Sequence, residues 1–155
     1  MPTRWLDEDE QRTWRAFIEA TGLLMDQLDR ELQRDAGMPH AYYEVLVRLS
    51  EQPDRSLRMS ELAERSQSSR SRVSHAVARL EEAGWVRRES LPDDRRASLA
   101  VLTDEGYAAL AAAAPGHVEG VRKHLLDRLT REQVVALRRI SEAVRDPLIE
   151  EGANR

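Results

Sequence analysis

Arg95 and Arg96 stand side by side in the polar knot of "ESLPDDRRASLAVLT", Glu89 to Thr103. The runs that flank the knot alternate like strands, so it reads as the tip of a hairpin. A tip is the part of a chain most open to solvent, and two guanidinium groups placed there call for a partner outside the protein. Upstream, residues 65–80, "RSQSSRSRVSHAVARL", hold four arginines and no acid. A cationic helix followed by a cationic tip has the chemistry to meet a polyanion, because guanidinium bonds both phosphate and the guanine edge.

Centred on Val73, one face of that segment gathers Val77 and Leu80 within about 40° at helical periodicity, which makes an inward stripe. Ser71, Arg72, His75, Ala78 and Arg79 fall opposite, with no acid before Glu82, and Ser74 completes the candidate set. Small and cationic residues suit a helix laid in a major groove about 12 Å wide. Ser68, Ser69, Arg70 and Ser71 cluster where the helix begins, so that backbone N–H groups and hydroxyls can bind phosphate. A solvated basic helix would have the same composition. The downstream tip favours DNA, since it lies where it could enter the adjacent minor groove, whose narrow A·T stretches attract Arg. Asp94 can brace one guanidinium of the pair without cancelling its charge.

The elements that must position these residues follow from periodicity. Trp14, Phe17, Ile18, Leu24, Met25, Leu28 and Leu32 predict a long helix from Asp7 to about Asp35, stopped at Gly37. Pro39 opens a second helix carrying Tyr42, Tyr43, Leu46, Val47 and Leu49. "LRM" reads as an edge strand, and Ser60 as the cap of a short third helix. A fourth helix follows Ser69 and runs to about Ala83, with Gly84 as its stop. "WVRRES" and "ASLAVLT" are the strands, with "LPDDRR" between them. Thr103 caps the next helix, which Pro115 and Gly116 should kink or briefly break. Thr130 and Gln133 form a capping box for the last helix, with Val134, Leu137, Ile140 and Val144.

This order predicts a mainly α fold with a small β-wing. Residues 1–37 form an N-terminal dimerisation helix, 38–103 a winged helix-turn-helix and 104–155 the C-terminal dimerisation helices. The terminal helices are too apolar on one face for a lone small domain. A homodimer is therefore expected, with Val134, Leu137, Ile140 and Val144 joining the first helix in a shared core.

Composition agrees. The 155 residues suit one domain with pairing extensions, at 41% hydrophobic, 5% aromatic and 34% charged. With no Cys there is no disulfide and no thiol switch. No apolar run approaches the roughly 20 residues of a membrane span, and the acidic start is unlike a signal peptide. A cytoplasmic, bacterial protein with no membrane partner is expected. The net charge of −4 argues against nucleic acid only as an average, because the charge is segregated. Residues 58–102 carry nine basic and seven acidic side chains, while the remainder carries 15 and 21.

The pieces "LAERS", "RVSHAVARLEEAGWV", "DDRR" and "LTDEG", in this order and spacing, resemble the DNA-binding core of the MarR (multiple antibiotic resistance regulator) family. The flanking helices match too, so the resemblance covers essentially the whole chain. It implies a homodimeric transcription factor, usually a repressor, on a pseudo-palindromic double-stranded DNA operator. It also implies a recognition helix from about Ser69 to Ala83 and a wing arginine at Arg96, with Asp94 as brace and Arg95 beside it. The turn "SQSS" departs from the family, which often carries a glycine there.

Other residues are open to two readings. Trp14, Phe17, Tyr42 and Tyr43, with Arg15 or Arg48 to pair a carboxylate, could line a pocket for a small aromatic or anionic effector. Dimer-core packing is the other reading, and for each residue taken singly it is preferred. Of the four histidines, His117 and His124 sit roughly 10 Å apart along one helix, too far to share a zinc. His40 could join one of them across a dimer in a metal-responsive version of the same regulator, but no metal and no cofactor is assigned. No phosphate loop, H-E-x-x-H or G-x-S-x-G occurs, so an enzyme is not expected. A protein-interaction module that has lost DNA binding would show an acidic recognition face or a truncated wing, and neither is present.

Overall fold

The computed structural model describes residues 1–66 and 68–153. Its elements run α1 (Glu8–Ala36), α2 (His40–Ser50), β1 (Ser56–Arg58), α3 (Met59–Arg65), α4 (Arg70–Glu82), β2 (Val86–Leu91), β3 (Asp94–Leu102), α5 (Asp104–His124) and α6 (Arg131–Ala153). A 3-10 turn at Leu126–Arg128 separates the last two helices. The chain divides into two compact units, Met1–Val118 and Glu119–Arg155.

In the first unit α1 begins at a reciprocal cap. The Asp7 carboxylate accepts from the Glu10 N–H at 2.8 Å, and the Glu10 carboxylate accepts from the Asp7 N–H at 2.9 Å. The helix ends at Gly37, whose φ of 66° is left-handed and whose N–H reaches the Gln33 carbonyl. Only Leu28 and Leu32 of α1 are buried. The core lies instead among α2, α3, α4 and the sheet, where Leu46, Leu49, Leu62 and Val77 are 0% exposed and Leu80 1%. Val73, Ala76, Val77 and Leu80 form the inward face of α4. Truncating Leu80 to Ala would leave a cavity there and cost about 2–5 kcal/mol.

The three strands form an antiparallel sheet in the order β1-β3-β2. At its base Thr103 ties the end of β3 to the turn after α4 and to the start of α5. Its N–H donates to the Trp85 carbonyl, and its hydroxyl donates to the Gly84 carbonyl at 2.7 Å. The same hydroxyl accepts from the Gly106 N–H at 3.0 Å, which caps α5. A Cβ at Gly106 would fall on the Trp85 carbonyl oxygen, so this crossing requires glycine.

In the second unit the expected capping box at Thr130 and Gln133 is present, with bonds of 2.9 and 3.2 Å. Ile140, Val144 and Leu148 of α6 remain 55–61% exposed.

Three local expectations are corrected. α3 starts two residues early, at Met59 rather than Glu61, so Ser60 lies inside it. The ladder pair Arg58↔Leu99 holds the chain extended up to Arg58, which becomes the cap position without a side-chain bond. "LPDDRR" is not all loop: β2 runs to Leu91 and β3 starts at Asp94, so only Pro92 and Asp93 turn. The pairing jumps from Ser90↔Ser98 to Leu91↔Asp94, and the residues between on β3 are Arg95, Arg96 and Ala97, in an irregularity of the ladder. Finally, α5 runs unbroken through Pro115, because the ring removes one N–H donor while the turns on either side keep theirs.

Candidate nucleic-acid interface

Helix α4 is capped by Ser69, whose hydroxyl accepts from the Arg72 N–H at 3.2 Å. Its first turn contains no acidic residue. Ser69, Arg70, Ser71, Arg72, His75 and Arg79 are exposed, while Ser68, Ser74 and Ala78 are half-buried. The preceding turn includes Gln67, which lies outside the described residues; Ser68 is tied down by its N–H bond to the Ala63 carbonyl. On the wing, Asp94, Arg95 and Arg96 are all exposed. Among the described residues, no carboxylate lies within ion-pairing distance of Arg70, Arg72, Arg95 or Arg96.

Arg79 differs. Its guanidinium holds both oxygens of Glu82 at 3.0–3.1 Å, so it must leave that carboxylate before it can reach a base. Asp94 also acts otherwise than expected. Its carboxylate accepts from the backbone N–H of Arg96 at 2.9 Å rather than from a guanidinium. An Asp side chain reaches an N–H two residues on with little entropy lost, so the brace sets the backbone and leaves both arginines charged and free.

Between α4 and the wing lies a cleft of about 440 Å³ lined by Arg58, Arg70, Arg88 and Arg96, with Asp94, Ser60, Ser74 and Ser98. Four guanidiniums face one carboxylate, which makes the cleft strongly anion-attracting. Sequence reasoning assigned neither Arg58 nor Arg88 to it. For Arg88 a signal existed: it lies two residues after buried Val86, so the strand period turns it to the same side, towards α4.

The effector candidates fall into separate groups. Trp14 and Phe17 lie 6.4 Å apart on α1, both 54% exposed. Trp14 and Arg15 share a groove of about 530 Å³ with Trp5, Leu6 and Ile18. Tyr43 is instead buried, and burial raises its phenol pKa. Its ring lies 4.5 Å from His117, and the rings of His117 and His40 are 5.5 Å apart within one chain, not across a dimer. Burial first, then the neighbouring His40, lowers the His117 pKa. The cavity beside His117 measures about 60 Å³, well below a small-molecule site. Arg48 is held by Glu44 at 2.8 Å and Glu51 at 3.8 Å, and Tyr42 is half-buried.

Comparison with known proteins agrees with the winged-helix geometry. A MarR family model matches residues 36–97, from the end of α1 to the wing. Transcriptional regulator HosA of Escherichia coli O111:H- is 34% identical over 77% of this chain and 86% of its own. Two other curated transcriptional regulators are matched over 47% and 43% of their length, so the chain spans about half of each. Among solved structures, Sco3205, a MarR family transcriptional regulator from Streptomyces coelicolor in complex with DNA, superposes with a TM-score of 0.92. It is 57% identical, over 95% of this chain and 92% of that one. AbsC, a MarR family regulator from the same organism, gives 0.86 at 40% identity, over 99% and 100%. No helix among the described residues is long and apolar enough to cross a membrane. A cationic α4 and wing on this fold, matched over nearly the whole chain, place the protein in the MarR family of DNA-binding transcriptional regulators.

Proposed function

We propose that this chain is a sequence-specific repressor that binds a pseudo-palindromic operator as a homodimer, with α4 in the major groove and the wing in the adjacent minor groove. The observation that carries this reading is the set of unpaired guanidiniums on one side of the first unit, Arg70 and Arg72 on α4 with Arg95 and Arg96 on the wing. Exposed cations that no carboxylate pairs release the condensed counterions of DNA when they neutralise its phosphates, which drives binding. The Sco3205 structure with DNA supports the same use of the fold. Within this set Arg72 and His75 would read bases, while Ser68, Ser69, Arg70 and Ser71 would hold phosphate at the helix N-terminus. Two copies would set their recognition helices about 34–36 Å apart, one turn of DNA.

Dimerisation is supported by apolar side chains that stand exposed on α1 and on α6 among the described residues. Trp14, Phe17, Ile18 and Leu23 of α1 are 42–70% exposed, and Ile140, Val144 and Leu148 of α6 form a second stripe. Residues 1–37 and 104–155 would be the pairing segments and 38–103 the DNA-binding module. The α1 groove with Trp14 and Arg15 supports release by a small aromatic acid, whose ring would lie on the indole while its carboxylate pairs the guanidinium. Selection of bound fragments from the intergenic DNA flanking the gene, with and without benzoate-type acids, tests the reading. Enrichment of one inverted repeat, lost with an acid present, is expected. Equal recovery of all fragments would overturn it.

A further inference from the structure

We propose that Arg88 is a positioning residue that fixes the angle between wing and recognition helix, so that both can enter DNA at once. The inference rests on the DNA-binding reading above but concerns a residue that reading does not use. One guanidinium joins β2 to two points on α4. Its Nη2 donates to the Ser74 carbonyl at 2.9 Å and to the Ser74 hydroxyl at 3.3 Å. Its Nε pairs with Glu81 Oε1 at 2.9 Å. Ser74 and Glu81 are seven residues apart, so they lie two turns apart on the same side of the helix. A cation gripping both fixes the strand against the helix axis in direction as well as distance. The planar fork of Arg does this without rearrangement, whereas the point charge of Lys cannot serve both ends.

The position of Arg88 in the hairpin gives the contact its leverage. Among the described residues, no hydrogen bond or ion pair joins the wing to α4 beyond Arg88. The hairpin then continues through Glu89 and Ser90, both exposed, to the turn at Pro92 and Asp93. Arg95 and Arg96 therefore stand on a lever whose last fastening is Arg88. Glu81 would then be a carboxylate retained near a polyanion surface because it holds the lever.

That retention gives the proposal a test by sign. Removing an acid near DNA strengthens binding on electrostatic grounds alone, whereas removing the Arg88 anchor weakens it. Operator and random duplexes would be titrated with the full chain, wild type, Glu81→Gln, Arg88→Met and Arg88→Lys, across a range of salt. Glu81→Gln should lose about fivefold on the operator, the upper end for a partly exposed ion pair, with no loss on random DNA. Arg88→Met should lose more, Arg88→Lys should fail to restore it, and the slope against salt should stay as in wild type. Unchanged or tighter operator binding by Glu81→Gln would overturn the proposal. So would a slope about one unit flatter in Arg88→Met, which would make Arg88 a phosphate contact.

A second measurement works without DNA. The chain has no native cysteine, so spin labels can be placed at Ser71→Cys and Asp93→Cys, with unlabelled chain in excess to isolate one labelled protomer per dimer. The α4–wing distance distribution should be narrow with Arg88 present and broader in Arg88→Met. Identical distributions would refute the positioning role even if the wild type proves to recognise no operator.

Discussion

α1 and α4 both begin with a side-chain cap and both present an exposed face, yet they leave opposite needs unmet. α1 opens with Glu8, Asp9 and Glu10 in its first turn, so its positive helix end is neutralised from within. What it exposes is apolar, with Trp14 and Phe17 each 54% accessible. α4 opens with Arg70 and Arg72 and no acid, so cations are added to an end that is already positive. What it exposes at its start is hydroxyl and guanidinium, while Val73, Ala76, Val77 and Leu80 are buried. One helix is complete electrostatically and lacks a hydrophobic partner. The other is complete in its packing and lacks an anion. A chain of net charge −4 can thus carry a cationic face, because the first turn of α1 gathers three acids while those of α4, Glu81 and Glu82, fall only at its far end.

The largest expected effect breaks the α1 side. Phe17→Glu adds a charge to an exposed apolar stripe and leaves the core untouched, so the chain should stay folded but run as a monomer in light scattering. Operator affinity should drop by about a hundredfold or more, since the second half-site no longer adds to the first. A dimer that survives this change would remove α1 from the interface. On the α4 side, Arg72→Ala should cost on the order of 1–3 kcal/mol on the operator and much less on random DNA. Arg79→Ala should cost less, because Glu82 already competes for that guanidinium. Equal losses on both duplexes would reduce Arg72 to a phosphate contact.

Asp94→Ala should lose only about threefold, the worth of one neutral-donor bond that orders the Arg96 backbone. The smallest effect lies in the core. The His117 pKa is lowered in the folded chain, so below the ordinary value of 6.5 the unfolded chain binds more protons than the folded one. The His117 contribution to stability is therefore complete above about pH 6.5 and declines as pH falls towards the lowered folded pKa. The groups around it are His40, Tyr43 and Glu44 of α2 and Glu31 of α1. Thermal unfolding of wild type and His117→Gln between about pH 7 and 5 should show the variant losing less. Parallel curves would contradict the assignment.

Most helices and caps, those of α3 and the course of α5 through Pro115 excepted, were legible because they are written in local chemistry. Asp7, Gly37, Ser69, Gly84 and Thr130 act on neighbours three to five residues away, and the Val73, Val77, Leu80 stripe on neighbours one or two turns away. The limits of the wing were less legible. Arg95 and Arg96 carry no apolar alternation, so nothing local told that the chain stays paired as far as Leu91↔Asp94. Arg88 was missed for a related reason. Its partners Ser74 and Glu81 come from another element, and the strand period alone says which side it faces but not what it meets. Asp94 was expected to brace a guanidinium, but its carboxylate accepts from the Arg96 backbone N–H, a contact that no residue type records.

The central claim is that the unpaired guanidiniums of α4 and wing together read operator DNA, and one titration tests it most directly. Affinity of wild type and Arg96→Ala would be measured on one operator fragment and one random fragment across salt. The account predicts that wild-type binding falls steeply with salt, and that Arg96→Ala binds the operator at least about tenfold more weakly. It also predicts a slope about one unit flatter if the contact includes a phosphate, with an intact dimer throughout. Arg96→Ala binding like wild type at every salt would mean that the wing never enters the groove, and the account would fail at its most exposed residue.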